Sequence, residues 1–374
     1  MNKNTLSIFI IFLLVFNCIL AQKIEISFKT FLDNSVRETS GLLYTNGTFW
    51  THNDSGNKAL LYKIDTANGK ILTTKEIVNA KNIDWEDICK SDSHIYIGDI
   101  GNNNGTRNIF QIYFFEIEKL LGNDNIIMAK KIEFYYDSTF YVPFTSSQKR
   151  KTNFDCESLI YYNENFYIFT KNWGNKKTYL FSIPAKEGLH KAEFIDSLDV
   201  DALICGADIS EDKNTIALIG YKFGVPANSV LILISDFNSE NFFSGKIEYF
   251  SIKKLKAHQT EGICFVSRDT LLISNEEFYG NKPSLREINI SRTLTRNLET
   301  ANSYLKRPYF LFIRIKNPKK YTLNMYNAKN DELKFTRKNT DCGIGIYSSE
   351  IIFSDKVKII LSKKRYMFIE NFNN

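Results

Sequence analysis

The sequence predicts an all-β protein built as a β-propeller of four-stranded blades, from a repeated motif, its spacing, and the residue types that fill it. An acidic residue at or near the start of an apolar run recurs at Glu38-Thr39-Ser40-Gly41-Leu42, Glu86-Asp87-Ile88-Cys89, Glu157-Ser158-Leu159-Ile160, Ala207-Asp208-Ile209-Ser210 and Glu261-Gly262-Ile263-Cys264. From Glu38 through Asp208 to Glu261 the intervals are 48, 71, 51 and 53 residues, near the roughly 40–50 residues of a propeller blade. The 30 Phe and 20 Tyr against three Trp suit pleated, half-buried surfaces. Five repeats predict a five- or six-bladed ring.

In order along the chain, residues 1–21 have the layout of a secretory signal peptide: a basic start at Lys3, an uncharged apolar run from Leu6 to Leu20, and Ala21 at the cut. An uncleaved anchor and a lipoprotein box at Val15-Phe16-Asn17-Cys18 are the alternatives. No later stretch has the length to span a bilayer, so the mature chain is expected to be secreted or displayed at the cell surface. Ile24-Glu25-Ile26-Ser27-Phe28-Lys29 then alternates apolar and polar residues as a half-buried strand does. The last repeat shows only three clear strands, so this segment is expected to supply its fourth and close the ring, removing two open edges.

Within repeats, strands one and two are joined by short turns, of which Asn46-Gly47 is the strongest hairpin signal because both residues tolerate positive φ. After the second strand, four repeats carry a Gly-Asn pair, at Gly56-Asn57, Gly101-Asn102, Gly174-Asn175 and Gly280-Asn281, while the fourth repeat keeps only Phe223-Gly224. The excess in the 71-residue interval is expected to lie in Tyr141 to Asn153, an exposed insertion carrying Lys149-Arg150-Lys151. Residues 22–300 make up the propeller. Beyond them the motif stops and the composition turns basic: 15 Lys and Arg against 6 Asp and Glu from Lys306 to Asn374, and 33 against 36 before. Residues 301–374 are read as a small basic β module or a divergent last blade. No aromatic-basic recognition motif accompanies this charge, so nucleic acid is not an expected partner. Beyond Cys18, five cysteines remain, and Cys89 and Cys264 occupy equivalent repeat positions; buried free thiols are expected.

In up-and-down blades the start of strand one and the loop after strand two share one end of the ring. Strand one is innermost, which places Glu86, Glu157, Asp208 and Glu261 around the channel mouth, with Glu38 or Ser40 as the fifth contribution. Carboxylates facing one channel repel, and a hard cation such as calcium would offset their charge; the alternative is that each accepts N–H bonds from the next blade and locks the ring. Asp54, Asn57, Asp99, Asn102, Asn172 and Trp173 fall on the same face and are the candidate ligand contacts, although Gly and Asn there also serve simply as turn residues. Trp50, Trp85 and Trp173 lie beside motif positions on this face and are read first as inter-blade packing, with a sugar or peptide site as the alternative. His52 with Asp54 could do acid–base work, but no GxSxG elbow occurs.

At Glu38-Thr39-Ser40-Gly41-Leu42, Asp84-Trp85-Glu86-Asp87-Ile88 and Thr260-Glu261-Gly262-Ile263 the chain resembles the secreted propellers grouped with the SdiA-regulated, phytase-like and esterase-like phytase-type families. The resemblance covers roughly residues 24–300. It implies a propeller, and for Glu86, Glu157 and Glu261 the calcium-holding role of channel carboxylates in phytase-like members; no Lys and Arg cluster for gripping phosphate stands at the matching positions. The segment Tyr321-Thr322-Leu323-Asn324-Met325-Tyr326-Asn327 has some look of the β-sandwich sorting domains of type IX secretion, with Lys316-Asn317-Pro318 nearest to their Pro-Asn-Pro start. The expected function is an exported, monomeric binding module with an acidic, calcium-binding channel face for a protein, glycan or small-molecule ligand. The alternative is a calcium-dependent hydrolase of phosphate or carboxyl esters at the same mouth.

Overall fold

The computed structural model describes residues 25–222, 228–256, 259–278 and 280–290, with the backbone of three strands beyond. The leader, Phe223-Gly224, His258, Tyr279, Cys342 and Lys316-Asn317-Pro318 lie outside the described residues. The chain divides into two units, the larger spanning Ala21–Thr293. From the other unit, three strands are described below by themselves.

Strand β1 (Glu25–Phe31) precedes five blades. Blade 1 holds β2 (Thr39–Thr45), β3 (Thr48–Asn53), β4 (Leu60–Ile64) and β5 (Ile71–Ile77). Blade 2 holds β6 (Trp85–Lys90), β7 (His94–Asp99), β8 (Phe110–Glu116) and, after the short β9 (Ile126–Ile127), β10 (Lys130–Tyr136). Blade 3 is β11 (Cys156–Tyr162), β12 (Asn165–Thr170), β13 (Lys177–Pro184) and β14 (Gly188–Asp199). Blade 4 is β15 (Leu203–Ile209), β16 (Thr215–Lys222), β17 (Asn228–Ser235) and β18 (Lys246–Lys256). Blade 5 is β19 (Thr260–Ser267), β20 (Thr270–Asn275) and β21 (Ser284–Asn289), completed by β1 in the sheet order β1-β21-β20-β19. The ring therefore has five blades, and the N-terminal strand closes it, pairing antiparallel from Glu25↔Asn289 to Phe31↔Ser284. Strands β22 (Thr322–Asn327), β23 (Leu333–Lys338) and β24 (Val357–Ser362) form a separate three-stranded sheet.

Each blade is apolar on both faces, so the hydrophobic core lies between blades. One cluster fills each interface. Trp50, Leu61, Trp85 and Ile97 pack between blades 1 and 2, and Phe110, Phe134, Leu159 and Phe181 between blades 2 and 3. Phe169, Ile204, Leu218 and Ile232 fill the next interface, then Ile219, Leu231, Ile263 and Ile288. Leu42, Ile64, Cys264 and Leu285 close the circle between blades 5 and 1. Trp50 and Trp85 are thus inter-blade packing, and Cys89, Cys156, Cys205 and Cys264 are free, buried thiols.

Two features stitch the rim. The first half of β14 pairs in parallel with β10, Ile132↔Gly188 to Tyr136↔Ala192, while its second half pairs with β13. Strand β9 pairs in parallel with β5 of blade 1 through Glu76↔Ile126 and Ile77↔Ile127. The insertion before β11 does not stand away from the body. Its backbone lies along the Gly-Asn loop of blade 2, with Phe144 N donating to Gly105 O (2.7 Å) and Arg150 N to Asn103 O (2.8 Å). The Tyr141 hydroxyl, taking 2.8 Å from Asn102 Nδ2 and donating to Gly105 O at 2.9 Å, pins its base.

The Gly-Asn pairs serve three different ends. Gly56 and Gly280 take positive φ, 78° and 79°, as turn glycines. Gly101 lacks a side chain because the carboxylates of Asp84 and Glu86 fill the space a Cβ would need. Gly174 instead makes room for Asn153, whose Oδ1 accepts its N–H at 2.9 Å.

Candidate functional site at the channel mouth

Every innermost strand breaks register at the same point. The ladder skips between Thr39 and Leu42, Trp85 and Asp87, Cys156 and Ser158, Ile204 and Gly206, and Thr260 and Ile263. Such a bulge re-aims one side chain without shifting the rest of the strand. The residues so displaced include Ser40, Glu86, Glu157, Cys205 and Glu261, one per blade. In blade 4 the equivalent position is Cys205, not Asp208. Asp208 lies further along β15, half-buried, where Oδ2 accepts Phe265 N of blade 5 at 2.7 Å and Oδ1 accepts Ile209 N at 2.9 Å. Asp87 does the same on a larger scale, its Oδ2 taking Leu159 N (2.9 Å) and Ala207 N (3.1 Å) from two other blades. Blade locking and the acidic mouth are therefore the work of different, nearly adjacent residues.

Four residues at or just beyond the ends of second strands, Asp54, Lys171, Tyr221 and Glu276, join Ser40, Glu86, Glu157 and Glu261 around one cavity of about 290 Å³. The fifth, Ile100, turns into the core. The rim adds Trp173, Phe278, Gln259, Asn103 and, from the insertion, Lys149 and Arg150.

Charge is divided across this mouth. On one side, oxygens of Asp54, Asp84 and Glu86 lie within 4.8 Å of one another, and so do those of Glu86, Asp155 and Glu157. Asp54 keeps one donor, the backbone N–H of Ser55. Burial, reinforced by the charge of Glu261, lifts its carboxyl to about 6. Burial and the charges of Asp54 and Asp155 lift Asp84 to about 7. Glu86 is raised well above the carboxylate range by burial and then by Glu157 and Asp54, and Glu276 reaches about 9 from burial and the charge of Glu261.

On the other side stands a buried cation. Lys171 Nζ is 2.5 Å from Glu157 Oε2 and 5.2 and 5.3 Å from the ring centres of Trp173 and Tyr221. Burial works against its charge, but the negative groups around it outweigh that and raise its pKa. Asp155 is held in place by Trp173 Nε1 (2.7 Å) and Asn102 N (2.5 Å).

Of the six residues singled out as ligand contacts, Asp54 and Trp173 line the cavity. Asp99 is buried against Arg107 Nη1 at 2.8 Å and accepts Asp84 N. Asn102 is spent on Tyr141, Phe154 O and Arg107 N, Asn172 on Thr170 and Asn175, and Asn57 on Glu38 Oε2 at 2.7 Å. His52 is wholly buried, edge-on to Trp85 at 5.6 Å. Burial drops its pKa to about 4, so it is neutral, and it is not among the residues lining the cavity with Asp54. Asp84, Asp155, Lys171 and Glu276 are the site residues that motif reading passed over. The first two carried a signal, since Asp84-x-Glu86 and Asp155-x-Glu157 share one spacing.

No protein-family model matches the chain, and no curated protein matches it. Among solved structures it is similar to hydrazine synthase from Kuenenia stuttgartiensis, at 12% identity and TM-score 0.35, over 65% of this chain and 57% of that one. It is also similar to an exo-β-1,3-galactanase from Phanerochaete chrysosporium (12%, TM-score 0.43, 71% and 64%) and a mannose phosphorylase from Leishmania mexicana (10%, TM-score 0.40, 72% and 90%). The chain spans little more than half the length of the first of these. At such scores the likenesses say nothing about activity, and the chain stands as an all-β, propeller-type module. Among the described residues no helix is long and apolar enough to cross a membrane.

Proposed function

We propose that this propeller is an exported binding module whose channel mouth takes a divalent cation, calcium by its ligand chemistry, at Asp54, Asp84 and Glu86. One observation carries the reading: the carboxylates of Asp84 and Glu86 are packed together against Gly101, and no donor among the described residues reaches either. Two adjacent carboxylates without donors repel unless protons or a cation intervene. Glu157, by contrast, has Lys171, and Asp155 has Trp173 and Asn102. Among the residues lining the cavity, five carboxyl groups meet three cationic side chains, and Asp84 and Asp155 stand against them, an acidic excess that a divalent ion offsets. An all-oxygen ligand set suits a hard cation, and larger, less regular coordination favours calcium over magnesium. Glu157 and Glu261 then belong to the wall of the site rather than to its metal cluster, and Asp208 to the locking of blades.

The test is the thermal midpoint of the purified chain with calcium, with magnesium and with a chelator. A ligand bound only by the folded state, at 100 times its Kd, adds about 2.7 kcal/mol. A calcium-specific rise that disappears in Glu86→Gln and Asp84→Asn is expected; no rise in the parent protein would refute the site. The second reading, ester hydrolysis at the same mouth, draws on Asp84, whose carboxyl titrates at about 7, where a general acid or base works well. Turnover of generic ester substrates, lost in Asp84→Asn, would favour it.

A further inference from the structure

We propose that the ligand held beside this cation is a small hydroxylated acid bearing a single carboxylate, of the uronic-acid class, its carboxylate gripped by Arg150 and Lys149. The inference rests on the cation reading, because without a cation the acidic wall would repel an anion.

Arg150 and Lys149 line the cavity from the insertion. Neither has a carboxylate or hydrogen-bonding partner for its charged end among the described residues, although five carboxylates line the same cavity. Arg150 is placed rather than loose. Its backbone takes φ of 61°, its N–H is tied to Asn103 O at 2.8 Å, and its guanidinium carbon lies 5.2 Å from the Trp173 ring centre. A guanidinium stacked on an aromatic face keeps its edge N–H groups free, and that edge matches a carboxylate in two parallel bonds.

The remaining lining decides the rest of the ligand. Ser55, Gln259 and Asn103 offer neutral donors and acceptors, and Glu276 and Glu261 offer acceptors, which together suit several hydroxyl groups better than an apolar body. The volume of about 290 Å³ is at the small end for ligand pockets, enough for a sugar-sized molecule. One negative charge fits better than two. Even with a divalent ion offsetting the acidic excess, each further negative charge is opposed by the carboxylates, and a phosphate dianion brings twice the repulsion of a carboxylate.

The experiment measures thermal midpoints of the full chain with glucuronate, galacturonate, glucose or inorganic phosphate, each with calcium and with a chelator. A uronate is expected to add a rise beyond that of calcium alone, glucose and phosphate to add none, and the chelator to abolish the increment. Arg150→Glu and Lys149→Glu change exposed loop side chains, and should lose the uronate increment while keeping the calcium rise. A calcium rise with no uronate increment would overturn this inference and leave the cation site standing. So would an increment from phosphate in place of the uronates, or a uronate increment that survives Arg150→Glu. Absence of any calcium rise would defeat the cation reading and this inference together.

Discussion

Lys171 Nζ lies 2.5 Å from Glu157 Oε2, with only 4% and 6% of the two side chains exposed. Breaking a buried pair from one side strands a charge, at a cost of about 3–5 kcal/mol. Lys171→Met is expected to lose stability in that range by chemical denaturation. The double substitution with Glu157→Gln should recover most of it, since neither charge is then left alone. Additive losses would mean the two residues are not coupled.

Asp87 ties three blades through the N–H groups of Ile88, Leu159 and Ala207. Each buried donor left without a partner costs about 1–3 kcal/mol, so Asp87→Ala should lose about 3 kcal/mol or more. Asp87→Asn should rescue little, because one of its two ends would turn an NH2 toward N–H donors. A loss below 1 kcal/mol, read from urea midpoints, would show that Asp87 is not a fastening point; that bound is about the net worth of one hydrogen bond.

Asp54 and Asp84 hold their protons in the folded chain up to about 6 and about 7, against an ordinary carboxylate value near 4 when unfolded. The folded state therefore binds more protons between these values, and the stability that this contributes, full below about pH 4, is lost as pH rises toward about 7. A cation at the cluster competes with those protons. The calcium-induced rise in Tm should therefore be small near pH 5 and grow through about pH 7. A rise that shrinks over this interval would place calcium elsewhere.

Gly101 is not in the left-handed region of φ, so Gly101→Ala tests packing alone. The added methyl would meet the carboxylates of Asp84 and Glu86 and push them apart. The calcium response should fall by at least tenfold in affinity, about 1.4 kcal/mol, by calorimetric titration. Unchanged affinity would separate the cation from this pair.

Ile26 of β1 is buried in the cluster between blades 4 and 5. Ile26→Ala should cost about 2–5 kcal/mol and promote association through the loosened edge of blade 5, seen as concentration-dependent sedimentation. A neutral effect would mean that β1 is not needed to hold the ring closed.

The sequence by itself determined the repeat, the all-β class and the closing strand, because these depend on local alternation and on the count of strands in the last unit. Apolar runs at blade-like spacing bury both faces by stacking on neighbouring repeats, and a ring leaves no end uncovered. What only the tertiary structure decided is which polar atoms meet. The bulge in β15 puts Cys205 at the mouth and sends Asp208 to a neighbouring blade, a two-way choice that an acidic residue near the start of an apolar run does not settle. Lys171 and Glu276 leave second strands, and only the closed ring gathers them with the acidic residues of other blades around one cavity. The insertion reads as a solvated loop by composition, yet its backbone follows the Asn103–Gly105 loop and delivers Arg150 to the cavity. In each case the deciding feature is a bulge or a tertiary contact, and no short-range pattern encodes it.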